Sequence, residues 1–205
     1  AAFQICLTVH NSQAAGALLK AGTKEQKDRY LPDLASGRKI GAYSLSEPGA
    51  GTDAGSLKAA AKPEGDSFLL NGTKSWVSSA GFADLFVVFV STDPSKGSRG
   101  ISCLLVDKGT PGLQIGKKER KMGMRGSDTR EIHFKDCRVP RSQLLGAENE
   151  GFKIALSLLD SGRIGIAAQS VGIAQAAFEE ALSYSKQRVQ FGKTLAEFQA
   201  TQFKL

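Results

Sequence analysis

Residues 43–56 read YSLSEPGAGTDAGS, and within them Gly49, Gly51, Gly55 and Pro48 alternate with the hydroxyls of Ser44, Ser46, Thr52 and Ser56, directly after an apolar segment. Glycines can adopt positive φ and, lacking Cβ, let backbone N–H groups approach a ligand, while the hydroxyls donate and accept. The loop is therefore read as a ligand loop. Its spacing, G-x-G-x-x-x-G, invites a dinucleotide fingerprint, but that unit needs a full helix straight after the glycines. Here residues 57–62 run into Pro63-Glu64-Gly65-Asp66, a turn, and no Lys-Ser or Lys-Thr follows as a P-loop requires.

Outward from the loop, the hydrophobic period is two. Short β-type runs at 40–46, 67–77, 84–91, 100–107, 113–117 and 130–139 are separated by Gly, Pro, Asn and Asp clusters. Asn71-Gly72, between SFLL and TKSWV, is the strongest hairpin signal. Phe86-Val87-Val88-Phe89-Val90 is apolar on both faces and reads as a central strand. Strands at this spacing without intervening helices predict an antiparallel barrel or sandwich.

Both flanks read as helical. Before the strands, Thr23 with Gln26 makes a capping box ahead of KEQKDRYLPDL, and Pro32 is expected to break or kink that helix. From Gly151 a long helical face runs through Phe152, Ala155, Leu156 and Leu159, and then Val171, Ala174, Phe178 and Leu182. Gly162, Gly165 and Gly172 lie in it, each costing about 1 kcal/mol against Ala, so close packing or a ligand beside the backbone is expected. Gly192 turns the chain into a last helical pattern at 195–205. The fold class is α+β, with a helical segment at 1–38, a β-domain at 39–148 and the start of a helical bundle at 149–205.

Composition narrows the function classes. The 205 residues are 41% hydrophobic and 23% charged, with no apolar run long enough to span a bilayer and no signal-peptide pattern at the start. Cys6, Cys103 and Cys137 are an odd, scattered set, and His10 and His133 are isolated, so neither a disulfide framework nor a metal site is expected. The net charge of +7 raises a nucleic-acid reading, but the basic residues are spread along the chain and interleaved with acids. No nucleic acid and no membrane insertion are expected; a basic surface suits a polyanionic small ligand equally well.

The order of residue types goes further. Leu45-Ser46-Glu47-Pro48-Gly49-Ala50-Gly51-Thr52-Asp53, then Trp76-Val77-Ser78, Gly123-Met124-Arg125-Gly126-Ser127, Asp160-Ser161-Gly162-Arg163 and Arg188-Val189-Gln190-Phe191-Gly192-Lys193 resemble, in order and spacing, the motifs of the acyl-CoA dehydrogenases, most of all the short-chain, butyryl-type branch. Ser44, where that family more often has a small apolar residue or Cys, and Gln190, where it often has a hydroxyl, depart from the pattern.

The resemblance implies an FAD-dependent oxidation of short acyl-CoA thioesters to trans-2-enoyl-CoA, with electrons passed to an electron-transfer flavoprotein. An acyl-CoA oxidase and a non-catalytic relative of the same fold are the alternatives. It implies FAD contacts from Tyr43, Ser44, Leu45, Ser46, Glu47, Pro48, Gly49, Ala50, Gly51 and Thr52. Trp76, Val77 and Ser78 join them on the same flavin, and Arg188, Phe191 and Gln199 would reach the FAD of a neighbouring subunit in a homotetramer. Thr52, Leu159, Asp160, Ser161, Gly162 and Arg163 would meet the substrate. The family's base falls past Leu205 or, in other branches, at the position of Gly162, so an internal piece lacking both ends and the catalytic Glu is expected. The location implied is cytoplasmic in a bacterium and the mitochondrial matrix in a eukaryote.

Overall fold

The change of period after Lys39 marks where helices give way to strands in the computed structural model, which describes residues 2–205. The chain forms two compact units, residues 2–162 and 163–205.

The first unit opens with helix α1 (Ala2–Thr8), a π-helical stretch Val9–Ala15, α2 (Gly16–Ala21) and α3 (Lys24–Ala35). The Thr23–Gln26 capping box forms in both directions at the start of α3. Pro32 does not break that helix, which runs on to Ala35. Proline removes only one N–H from the ladder, and Tyr30 and Leu34, both buried, hold the last turns against the core. His10, buried, accepts from Gly41 N at Nδ1 (3.0 Å) and approaches Leu34 O through Nε2 (3.0 Å), which fixes the Nε2–H tautomer and ties the helices to the first strand.

The strands are β1 (Gly41–Ser44), β2 (Ala60–Glu64), β3 (Ser67–Ser78), β4 (Leu85–Ser91), β5 (Ile101–Asp107), β6 (Leu113–Lys118) and β7 (Thr129–Pro140). They form one sheet in the order β1-β4-β2-β3-β7-β6, with β5 on β4. Most pairings are antiparallel; β1 lies parallel to β4, Gly41 opposite Leu85. β4 is buried along its whole length, as its apolar run predicts. Phe86, Val88 and Val90 join Phe68, Leu70, Ile132 and Val139 in one core, while Leu85, Val87 and Phe89 join Leu18, Leu34, Ala155 and Leu158 in a second core beneath the helices. Each such buried aliphatic or aromatic side chain contributes about 1.5–3 kcal/mol.

Asn71-Gly72 is not a hairpin. β3 passes through it with a register shift against β7 between Leu70 and Gly72, and the hairpin turn is instead Gly65-Asp66, between β2 and β3. At Gly72 the φ is +143°, and a Cβ would stand 2.5 Å from Ala59 Cβ, so glycine is needed here for close approach. The extra residue of the register shift lies on β7, where Asp136 stands at φ +48° and its N–H donates to Asn71 Oδ1 at 2.8 Å.

Helix α4 (Gly151–Gln187) begins in the first unit, where a Cβ on Gly151 would lie 2.4 Å from the Ser102 carbonyl carbon. Gly162 packs closely, 3.3 Å from Gln13 Nε2 to an added Cβ, as expected of a helical glycine beside a neighbour. Among the described residues nothing lies within 4 Å of a Cβ added at Gly172. In the second unit, after the rest of α4, β8 (Val189–Gln190) and β9 (Lys193–Thr194) form a small hairpin, followed by a short 3-10 turn (Leu195–Glu197) and α5 (Gln199–Gln202).

Candidate active site

β1 ends at Ser44 and delivers residues 45–50 to the flank of β3. Glu47 and Ala50 close a tight turn with two mutual backbone hydrogen bonds, 2.9 and 3.2 Å, leaving Pro48-Gly49 at its tip. Ser75 N donates to Ser46 O at 2.9 Å, which fastens the loop to β3. Ser44, Leu45, Glu47 and Ala50 turn their side chains inward, while Pro48, Gly49, Gly51 and Thr52 are exposed. Tyr43 packs on Phe89 with ring centroids 5.0 Å apart, and its hydroxyl reaches Ala155 O at 3.4 Å. Burial holds that phenol above the usual tyrosine range, so it stays protonated.

Gly49 and Gly51 have neither a left-handed φ nor any atom within 4 Å of where a Cβ would stand. Nothing among the described residues demands glycine there. What the missing side chains leave free is the outer face of the loop, and a flat ligand lying on the backbone fits that cradle.

Beside the loop, β3 carries a second register shift between Lys74 and Val77. Trp76 sits on this bulge with φ +59° and is 62% exposed, while its neighbour Val77 is buried. A bulky residue in the left-handed region costs roughly 1–2 kcal/mol, and here that cost turns an aromatic face outward rather than into the core. Ser78, opposite Thr129, is half-buried two residues further on. The loop 45–51 and the group Trp76–Ser78 are thus brought together.

On α4, Leu159 packs against the core that also holds Leu45 and Ala50; Asp160 and Ser161 are exposed and Gly162 is buried. Arg163 is exposed at the start of the second unit. In that unit, Arg188 O accepts from Leu195 N at 2.9 Å, Phe191 sits at the hairpin tip with φ +52° and 95% exposure, and Gln199 opens α5. All three side chains are exposed and belong to one short segment.

The sequence reading missed Lys74. It is fully buried, with Nζ 2.7 Å from Glu47 Oε1 and 3.0 Å from Leu45 O. Glu47 in turn accepts from Lys58 N (2.7 Å) and Ala59 N (2.9 Å). Burial pushes the Lys74 ammonium down to about 8 while the Glu47 carboxylate pulls it back up. A signal existed: Lys74 falls in the same inward phase as Phe68 and Leu70 on β3. Glu47 was expected to edge the ligand, but its carboxylate is committed inside the fold.

Among the described residues no group of three or more His, Cys, Asp or Glu side chains could hold a metal ion, and no helix is long and apolar enough to cross a membrane. Burial pushes the Cys103 thiol well above its ordinary range, so it is not a nucleophile at neutral pH.

Residues 1–38, 42–137 and 149–205 match in turn the N-terminal, middle and C-terminal domain families of acyl-CoA dehydrogenase. The chain is 50% identical over 201 residues to the mitochondrial short-chain specific acyl-CoA dehydrogenase of Homo sapiens, covering 98% of this chain and 49% of that protein. It superposes on butyryl-CoA dehydrogenase from Megasphaera elsdenii with a TM-score of 0.95 at 48% identity, covering 98% of this chain and 52% of that one. The same TM-score and identity relate it to a chain solved in work on the electron transferring flavoprotein of Acidaminococcus fermentans, covering 97% and 52%. The chain belongs to the acyl-CoA dehydrogenase family, and it spans about half the length of the relatives it matches.

Proposed function

We propose that the protein is a short-chain acyl-CoA dehydrogenase and that residues 1–205 provide its FAD cradle and part of its substrate pocket. The observation that carries this is the pairing of the 45–51 loop, open above Gly49 and Gly51, with the left-handed, exposed Trp76. When bound, FAD supplies the hydride-accepting ring that no amino-acid side chain can. Trp76 gives that ring an aromatic wall, the Ser78 hydroxyl a donor at its edge, and the loop backbone further N–H donors.

Thr52, exposed beyond the loop, faces the CoA ester, and Leu159 with Gly162 on α4 limits the acyl chain to a short, straight one. Arg188, whose planar fork suits phosphate oxygens, works with Phe191 and Gln199 on the FAD of a neighbouring subunit in a homotetramer. The proton-abstracting carboxylate comes from outside these residues: Glu47 is engaged by Lys74 and two amides and cannot reach a substrate. Electrons leave to an electron-transfer flavoprotein. Such a protein would work in the bacterial cytoplasm or the mitochondrial matrix.

The test is anaerobic addition of acyl-CoA to the purified full-length protein, followed through its flavin absorbance. Butyryl-CoA should bleach the bands faster than octanoyl- or isovaleryl-CoA; a clear octanoyl optimum would contradict the short-chain assignment.

A further inference from the structure

We propose that Lys74 is a positioning residue for the flavin, acting through Glu47 and the Leu45 carbonyl to set the height and register of the 45–51 loop against Trp76; this rests on the FAD-cradle reading above.

Lys74 Nζ meets two acceptors from the loop, Leu45 O at 3.0 Å and Glu47 Oε1 at 2.7 Å, with the two side chains 0% and 7% exposed. Glu47 also ties the loop to the segment that leads into β2, since its two oxygens accept from Lys58 N and Ala59 N. One residue after Lys74, Ser75 N holds Ser46 O. Residues 74–76 therefore fix the loop at three acceptors and then present the aromatic ring, so loop and ring are set by consecutive positions of one strand.

The peptide geometry gives this clamp a direction. Among the described residues no peptide bond is cis, and a trans peptide carries its N–H opposite its C=O. Drawing Leu45 O onto Lys74 turns the Ser46 N–H to the opposite side of the same peptide, away from the ammonium. Lys74 thus orients a donor that it does not itself form.

Stability alone is a poor reason for this pair. Removing an ammonium and a carboxylate from water is costly, and a well-packed apolar replacement often does as well or better. Buried ionic pairs are best accounted for where they specify one geometry among several, which is what a flat ligand held by backbone donors needs.

The test compares the full-length wild type with Lys74→Met and with the neutral double variant Glu47→Gln/Lys74→Met. The measurements are FAD dissociation constant by equilibrium dialysis, visible circular dichroism of the bound flavin, and amide exchange at Ser46, Lys58, Ala59 and Ser75 with the β4–β5 amides as folding control. The expected result for the double variant is native protection in β4–β5, faster exchange in the loop, FAD binding weakened at least tenfold, and an altered flavin dichroism. A double variant that folds and binds FAD with wild-type affinity and dichroism would overturn the proposal. So would one that does not fold, because the pair would then be a folding requirement. Wild-type protein that binds no flavin would instead sink the cradle reading itself, and the positioning role with it.

Discussion

Trp76 separates stability from function more sharply than any other residue of the site. Its backbone stands at φ +59° on the β3 bulge and the residue is 62% exposed. Replacement by Ala keeps the left-handed strain and loses the covered part of the ring. A buried Trp removes about 200 Å² from water, so the covered two-fifths is about 80 Å², or about 2 kcal/mol at most. Replacement by Gly loses the same contacts but relieves roughly 1–2 kcal/mol of strain, against roughly 0.5–1 kcal/mol of added unfolded-state entropy. Trp76→Gly should therefore be more stable than Trp76→Ala by about 0.5–1 kcal/mol, the reverse of the usual order in a strand. Urea unfolding of both variants at one pH measures this. Both should bind FAD at least tenfold more weakly than wild type. An Ala variant as stable as the Gly variant would refute the left-handed backbone and with it the reason given for the outward ring.

Ser44→Ala should raise stability by about 1 kcal/mol in the same urea assay, because the Ser44 hydroxyl is fully buried without a hydrogen-bond partner among the described residues and such groups cost about 1–3 kcal/mol; a loss of stability would reveal a hidden partner. Gly49→Ala should leave stability unchanged or raise it by about 0.4–1 kcal/mol, since the new Cβ meets nothing. FAD affinity should nevertheless fall at least tenfold by dialysis, and unchanged affinity would mean that no ligand lies on that face. Lys74 sits at about 8 when folded against an ordinary value of 10.5. Between those values the unfolded chain holds the proton and the folded chain does not, so this group's contribution to stability rises with pH across that window. Wild type should gain on Lys74→Met as pH increases from 7.5 to 10, and a stability difference that stays flat would contradict the shift.

Much of the fold was legible where one physical cue dominated. The unbroken apolar run of β4 could only be satisfied by cores on both faces, and Thr23 with Gln26 formed the reciprocal cap their spacing implies. Asn71-Gly72 misled because a glycine that suits a tight turn also suits a close approach inside a strand, and only the proximity of Ala59 decides between them. Pro63-Glu64 is not part of the turn expected at 63–66 but the end of β2, a strand without β-branched residues that is held by pairing with Phe68 and Leu70 on β3. The ligand loop was legible as a glycine-rich, hydroxyl-rich stretch, although none of Gly49, Gly51 and Gly55 uses the positive φ that glycine permits. The inward phase of Lys74 on β3 was legible beside Phe68 and Leu70, but its clamp was not, because no pattern pairs Lys74 with Glu47 across 27 positions.

The central claim, that the loop and Trp76 together cradle the flavin ring, is tested most directly by tryptophan emission during FAD titration of the full-length apoprotein, with Trp76→Phe as the reference that isolates this ring. The cradle predicts a component of the emission that is present in wild type, absent in Trp76→Phe, and quenched in step with FAD binding at one equivalent per subunit. Stoichiometric FAD binding that leaves the Trp76 component undiminished would contradict it.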